Sequence, residues 1–343
     1  MVPALAVAAA LRADGAEVAF VGAGRAEARL VPQAGYELHA ISVEGLSRRN
    51  PLLALRAVLR AALAVARARS LLRRLRPDAV MGGGGYVSGP VALAALTLGI
   101  PVVLSEADSR LGLTNRLLAP FARRVFLAFA IGGREGERYR VTGRPVPAPS
   151  RDLEGARERL GIGAEETCVL VFGGSLGART INRASVDAFA GRPSIGGAFR
   201  VLHIAGSREY DELSARELPG GYDLREYLEE ADFADALAAA DLVVSRAGGS
   251  LFEIAAHGAP AILVPYPHAA ADHQTTNARW MADAGAALVI PDRELSGARL
   301  ARQVAELLAD PSGLAAMAAA SRGLARPDAA YEVARELLEV ARG

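Results

Sequence analysis

Three glycine-rich turns, each set between an apolar run and a helical one, hold the residues of this chain best suited to chemistry. In the last, Asp241–Ser245 leads into Arg246-Ala247-Gly248-Gly249-Ser250 and then Leu251–His257, with Glu253 in its first turn and Gly258 as its stop. The strand Ala261–Pro265 follows, and His273, Gln274 and Asn277 open a further helix. A helix N-terminus, a carboxylate and amides at the carboxyl ends of parallel strands suit a nucleotide sugar. The middle turn, Gly173-Gly174-Ser175-Leu176-Gly177-Ala178, follows the strand Thr167–Phe172. Its glycines permit close approach to a diphosphate, and the serine hydroxyl and helix amides can donate to it. It differs from GxGxxG, and no acidic residue ends a strand about twenty residues on, which disfavours NAD.

The first turn runs from Gly82 through Gly83, Gly84 and Gly85 to Tyr86 and Pro90, after the strand Asp78–Met81, with a helix expected after Pro90. The strand Pro101–Leu104 then delivers Ser105-Glu106-Ala107-Asp108 to the same sheet edge, and Gly112-Leu113-Thr114-Asn115 enters a helix. Glu106 and Asp108 are candidate general bases. Asp108 equally suits a helix N-cap or an Asx-turn, and Arg246 suits either a phosphate or a structural pair with an acid. His257 and His268 read as structural.

These turns need strands and crossover helices to hold them, and the composition supplies an α/β protein. Of 343 residues, 51% are hydrophobic and few are aromatic, enough for two cores. All 39 basic residues are arginine, which excludes a Walker GK[ST] loop and a lysine Schiff base. A net charge of +1 argues against a general nucleic-acid binder. Cys168 reads as a buried strand thiol, and neither a His/Cys metal spacing nor an Asp-x-Asp pair is present. Val91–Leu104 is too short and interrupted to span a bilayer, and the first residues lack the basic region of a signal peptide.

At the amino end Pro3–Asp14 reads as a helix and Glu17–Gly22 as a strand. A helix leading into a parallel strand is normally a crossover, so either Met1 is an internal start or this sheet lacks an inner strand. Between Arg48 and Arg76 lie nine arginines among leucines, with no acid from Glu44 to Asp78. This is either a core-packed helix with a solvated arginine face or a membrane-surface helix. The proline-rich stretch Gly143–Pro149 reads as a linker, 200–204 as a strand, the stretch to Leu228 as variable loop and helix, and the tail as closing helices.

Taken in series, PDAVMGGGGYVSGP…SEADSRLGLTNRLLA, VFGGSLGARTIN and SRAGGSLFEIAAHGAPAILVPYPHAAADHQTTNAR resemble the MurG-type peptidoglycan N-acetylglucosaminyltransferases, over nearly the whole chain. That resemblance implies two facing Rossmann-like domains with parallel sheets: residues 1–143 on the acceptor and membrane side, 144–326 for the UDP-sugar donor, and 327–343 as a closing helix. It implies metal-independent, inverting transfer of GlcNAc from UDP-GlcNAc to lipid I, without a cofactor, by a peripheral protein at the cytoplasmic membrane face. On the donor side it implies Ser175 at the diphosphate with Gly174 and Leu176, Glu253 at the ribose and Gln274 with His273 at the sugar. Gly248, Gly249 and Ser250 would wrap the nucleotide, and the loop before Phe233 would lie against uracil. Arg144 and Asp108 complete that side; Gly83, Gly84, Gly85, Tyr86 and Asn115 would meet the acceptor.

The chain departs from the family pattern in places. The first glycine-rich loop, GGTGGH, is absent ahead of Pro3, Asp108 stands for an asparagine, and the usual linker arginine is Pro147. A UDP-sugar 2-epimerase, another lipid glycosyltransferase or a donor-binding protein without activity would share this scaffold.

Overall fold

Strands that read as unbroken apolar runs must be covered by helices on both faces, and parallel pairing follows from that. The computed structural model describes residues 1–24, 27–41, 51–174, 176–190, 198–269 and 272–343, with backbone alone for 51–60 and Tyr86. The expectations placed on Arg48, Arg49 and Ser175, and on the side chains of Arg56, Arg60 and Tyr86, lie outside the described residues. The chain divides into two compact units, Met1–Pro147 with Arg326–Gly343, and Ala148–Ala325.

The second unit is a doubly wound sheet. Its strands are β7 (Thr167–Phe172), β8 (Phe199–Ile204), β9 (Tyr222–Arg225), β10 (Leu242–Ser245), β11 (Ala261–Leu263) and β12 (Ala287–Val289). They pair in parallel in the order β12-β11-β10-β7-β8-β9. The chain steps outward from β7 to β9, returns to β10 and steps outward the other way, so the sheet reverses between β7 and β10. Helix α6 (Leu153–Arg159) precedes the strands, and α7 (Arg179–Phe189), α8 (Tyr210–Ser214), α9 (Glu230–Ala239), α10 (Leu251–His257), α11 (His273–Asp283), α12 (Gly297–Leu308) and α13 (Pro311–Leu324) lie between and after them. Alternation along β7 sends Leu170 and Phe172 to a core with Leu237, Leu251 and Ile254, and Val169 and Val171 to another with Ile181, Phe189 and Val304. The edge strand β9 falls in the stretch read as variable loop and helix. Its Tyr222 and Leu224 pack beside Val186 and Leu213, while Asp223 and Arg225 pair with each other.

In the first unit, β1 (Ala19–Gly22) pairs with β2 (Glu37–Ala40), and β3 (Val80–Gly82), β4 (Val102–Glu106), β5 (Arg124–Leu127) and β6 (Tyr139–Val141) form a separate parallel sheet. The helices are α1 (Val2–Ala13), α2 (Glu27–Gln33), α3 (Pro51–Leu75), α4 (Gly85–Thr97), α5 (Leu113–Leu118) and, from the far end of the chain, α14 (Ala329–Arg342). Valines and leucines of α14 pack on Val7 and Leu11 of α1, and Glu336 pairs with Arg124 and Arg140.

Two local readings change here. The helix expected after Pro90 starts earlier, at Gly85, because Gly84 and Gly85 take φ of +79° and +80° and turn the chain straight out of β3. Pro90 then sits inside the helix, giving up the bond its N–H would make. The strand expected over Pro101–Leu104 continues to Glu106, since Ser105 and Glu106 stay in register with Phe126 and Leu127. The described part of α3 buries Ala64, Ala68, Leu71 and Leu72 and exposes Arg67, Arg73 and Arg74. Among the described residues no helix is long and apolar enough to cross a membrane.

A directed chain of hydrogen bonds runs through the interior between α7, β8 and β9. Asn182 Nδ2 donates to Ala205 O at 2.9 Å and to Glu209 Oε2 at 3.0 Å, so its Oδ1 accepts from His203 Nε2 at 3.1 Å. His203 Nδ1 is therefore bare and accepts from the Tyr222 hydroxyl at 2.7 Å. Burial pushes the His203 pKa down from 6.5 to about 4. An unfolded chain binds this proton near pH 6.5 and the folded one near 4, so stability from this site is full above 6.5 and is lost as pH falls through that window. The loss should be on the order of 3 kcal/mol. Urea denaturation across pH 7 to 4 should show it, with the imidazole neutral by NMR at pH 6; a charged imidazole at that pH would refute the assignment.

Candidate functional site

In the second unit the two glycine-rich turns leave neighbouring strands at one level, because Phe172 of β7 is in register with Ser245 of β10. The turn after β7 is closed by Gly177 N–H donating to Gly174 O at 2.9 Å. It lies directly on the chain after β8: a Cβ on Gly177 would come within 2.0 Å of Ala205 O, and one on Gly206 within 2.1 Å of Gly177 N. Only glycine allows that backbone-on-backbone packing. Leu176 is exposed, and α7 begins at Arg179 with no capping side chain, which leaves its first amides for a ligand or water.

The turn after β10 is built around Arg246. Its guanidinium is mostly buried and donates to Asp292 Oδ1 at 2.5 Å, Thr180 Oγ1 at 2.7 Å and Val264 O at 3.1 Å. Of the two readings open for this arginine, the structure has the one in which it pairs with an acid. Gly248 and Gly249 accept from Leu251 and Phe252 N–H at 3.3 and 3.4 Å, so Ser250 sits at the entry of α10, and Glu253 follows in the first turn, partly exposed. His257, at the end of the same helix, donates from Nδ1 to Glu253 O at 2.8 Å and accepts Ser150 N–H on Nε2 at 3.2 Å. Burial lowers its pKa, and a proton on Nε2 would break the Ser150 bond.

Helix α11 presents Gln274 and Asn277 to this turn. Gln274 Oε1 accepts Tyr266 N–H at 3.0 Å, which fixes the carboxamide and leaves Nε2 beside Gly248, 3.9 Å from where its Cβ would stand. Asn277 Nδ2 donates to Ala247 O at 3.2 Å and ties helix to turn. His273 is the first residue of α11, behind Asp272 in a left-handed conformation. Phe233 of α9 meets Phe172 edge-on with ring centroids 5.1 Å apart, so it packs beneath the end of β7.

In the first unit the carboxyl end of β4 is organised by Glu106, which is buried. Its carboxylate accepts from Asp108 N–H at 3.2 Å, Gly112 N–H at 2.8 Å and Asn115 Nδ2 at 3.0 Å. Asn115, 2% exposed, also donates to Ser105 O at 3.0 Å and lies beside Gly84, whose Cβ would stand 3.8 Å from Nδ2. Glu106, Asn115 and the turn from Gly83 to Gly85 are thereby gathered at one sheet edge, with Asp108 held on the loop they anchor. Arg144 lies beyond β6, partly buried near the Met1 amine, whose pKa burial and this guanidinium both lower.

Sequence reasoning passed over the partners of these groups. Asp292 and Thr180 meet Arg246 from far along the chain, 112 positions apart, and no local pattern announces such a pairing. The same holds for Glu209, which reaches Arg179 and Asn182.

Two family models match this chain: the glycosyltransferase family 28 N-terminal domain over residues 1–127 and the family 28 C-terminal domain over residues 168–333. A curated relative from Moorella thermoacetica, named UDP-N-acetylglucosamine–N-acetylmuramyl-(pentapeptide) pyrophosphoryl-undecaprenol N-acetylglucosamine transferase, is 42% identical over 98% of this chain and 95% of its own length. Among solved structures, MurG of Acinetobacter baumannii aligns with TM-score 0.76 and 30% identity, over 98% of this chain and 95% of that one. UDP-GlcNAc 2-epimerase from Neisseria meningitidis, at TM-score 0.66 and 16% identity over 98% of this chain and 96% of that one, shares the fold alone.

Proposed function

This chain belongs to glycosyltransferase family 28, and on that premise we propose that it moves N-acetylglucosamine from UDP-N-acetylglucosamine to the muramyl 4-hydroxyl of undecaprenyl-diphospho-N-acetylmuramyl-pentapeptide (lipid I), inverting the sugar. The observation that carries the donor half is the level shared by the turns after β7 and β10, with the oriented Gln274 amide beside one of them. A nucleotide sugar fits that arrangement from end to end. Its diphosphate lies on Gly174, Ser175, Leu176 and the uncapped amides of α7, whose positive end offsets the leaving charge by on the order of 0.3–2 kcal/mol. Gly248, Gly249 and Ser250 surround the nucleotide, Glu253 accepts from the ribose hydroxyls, and the loop before Phe233 lies against uracil. Gln274 has its oxygen engaged, so it meets a sugar hydroxyl as a donor through Nε2, with His273 next to it. Arg144 is assigned to the donor phosphates.

The acceptor half rests on the β3 and β4 edge. Glu106 is occupied by its three donors, which makes it the anchor of the loop and leaves Asp108 as the carboxylate assigned to take the proton of the attacking hydroxyl. Gly83, Gly84, Gly85, Tyr86 and Asn115 are assigned to the acceptor, and Asp108 also to the donor sugar. As the acceptor's carrier is a membrane lipid, we place the protein on the cytoplasmic face of the membrane as a peripheral protein. Besides the arginines of α3, the same unit exposes Leu63, Leu93, Leu113, Leu117 and Phe121, the last two at 62% and 67%. Apolar groups of this kind enter the interface while arginines meet anionic headgroups.

Four measurements test this reading. Glu253→Ala should weaken UDP binding by about 1–3 kcal/mol, the usual cost of losing charged hydrogen bonds, and UDP release from UDP-GlcNAc should require lipid I. Unchanged affinity removes the ribose assignment, and turnover without acceptor favours an epimerase or hydrolase. Asp108→Asn should lower kcat by roughly 10²–10⁴-fold with UDP affinity kept; near-normal kcat would clear Asp108 of the base role. The protein should sediment with vesicles containing anionic lipid far more than with zwitterionic ones, and equal binding to both would remove the role of the arginines.

A further inference from the structure

The buried carboxylate of Glu209 has no place in the reaction described above, yet it is tied to the diphosphate loop from two sides. Its Oε2 accepts from Asn182, which also holds Ala205 O, the atom on which Gly177 is packed. Its Oε1 accepts Arg179 Nε at 3.0 Å. The two side chains differ sharply in exposure, 9% for Glu209 and 72% for Arg179. A carboxylate taken out of water needs a cation, and here that cation is gripped by the nitrogen nearest its stem. Among the described residues, the two terminal Nη nitrogens of Arg179 donate to nothing.

The position of this arginine is also unusual. Arg179 is the first residue of α7, immediately after the glycine-rich turn, and a cation at a helix N-terminus opposes the helix dipole. Glu209 answers that charge on one side only. Arg246, at the end of the neighbouring strand, is taken up by Asp292. From these observations, and resting on the donor-site reading above, we propose that Arg179 binds the diphosphate of the donor through its Nη edge and that Glu209 is the positioning residue that holds it there. Guanidinium Nη edges match phosphate oxygens in pairs, and an arginine already held at Nε loses less freedom in making them.

Calorimetric titration of the full chain with UDP and with uridine, which lacks phosphate, separates this role from a structural one. Arg179→Ala should weaken UDP binding at least tenfold and uridine binding less than twofold. Glu209→Gln should give a smaller, UDP-selective loss, and the double variant should be no worse than Arg179→Ala alone. Arg208→Ala, which removes an exposed charge next to Glu209, should leave both ligands unaffected. Equal losses for UDP and uridine, or additive losses in the double variant, would overturn the proposal. Glu253→Ala provides the reference: if it changes neither ligand, the nucleotide site itself has been misplaced. If it weakens both while Arg179→Ala leaves UDP binding intact, only the role of Arg179 and Glu209 fails.

Discussion

The register that sets Phe172 beside both Ser245 and Ile204 decides where the second unit can act. Each of these residues ends a parallel strand, and Leu263 pairs with Ser245 at the same level. The chain therefore leaves the sheet at Gly173, Ala205, Arg246 and Val264 along one line. Because β7 and β10 are where the winding reverses, the helices after them diverge to opposite faces and open the space between their N-termini. A slip of one residue in either strand would turn its apolar side chains to the wrong face, so the buried alternation along β7 also fixes the height of the turns.

Charges around this line are tied to partners on neighbouring elements. Arg246 meets Asp292 and Thr180 and so joins the ends of β10 and β11 to α7 and to the segment before α12. Glu209 joins α7 to the chain after β8. Removing one member of such a set leaves an uncompensated charge out of water, which is far costlier than the set itself is stabilising. The sets are thus better understood as devices that keep the turns in one geometry than as sources of stability. The directed chain from Tyr222 through His203 to Asn182 extends this rigidity into the core, since each group has a fixed donor or acceptor role.

The first unit reaches a similar result with different means. Its sheet edge is ordered by one carboxylate, Glu106, that collects backbone and side-chain donors from the loop it precedes. Gly84 and Gly85 let α4 start directly after β3, so the helix amides and Asn115 come to the same edge. Helix α14 returns from the end of the chain to pack on α1 and pair Glu336 with two arginines of the sheet.

The sequence by itself determined the parts whose physics is local. Apolar runs such as Thr167–Phe172, the stop of α10 at Gly258 and the glycine-rich turns were legible because periodicity, left-handed glycine and strand-to-helix spacing act over a few residues. The serial motifs also made the two Rossmann-like domains and the family legible. The edge strand β9 was not, since four residues with two charges carry no strand signal until Val186 and Leu213 cover its apolar side. Tertiary structure alone decided which charges are partnered. Whether Arg246 faces a phosphate or Asp292, and whether Glu106 offers a lone pair or holds a loop, depends on groups brought together by the sheet. Hydrogen bonding and burial act at a few ångströms in space, and separation along the chain does not encode that distance.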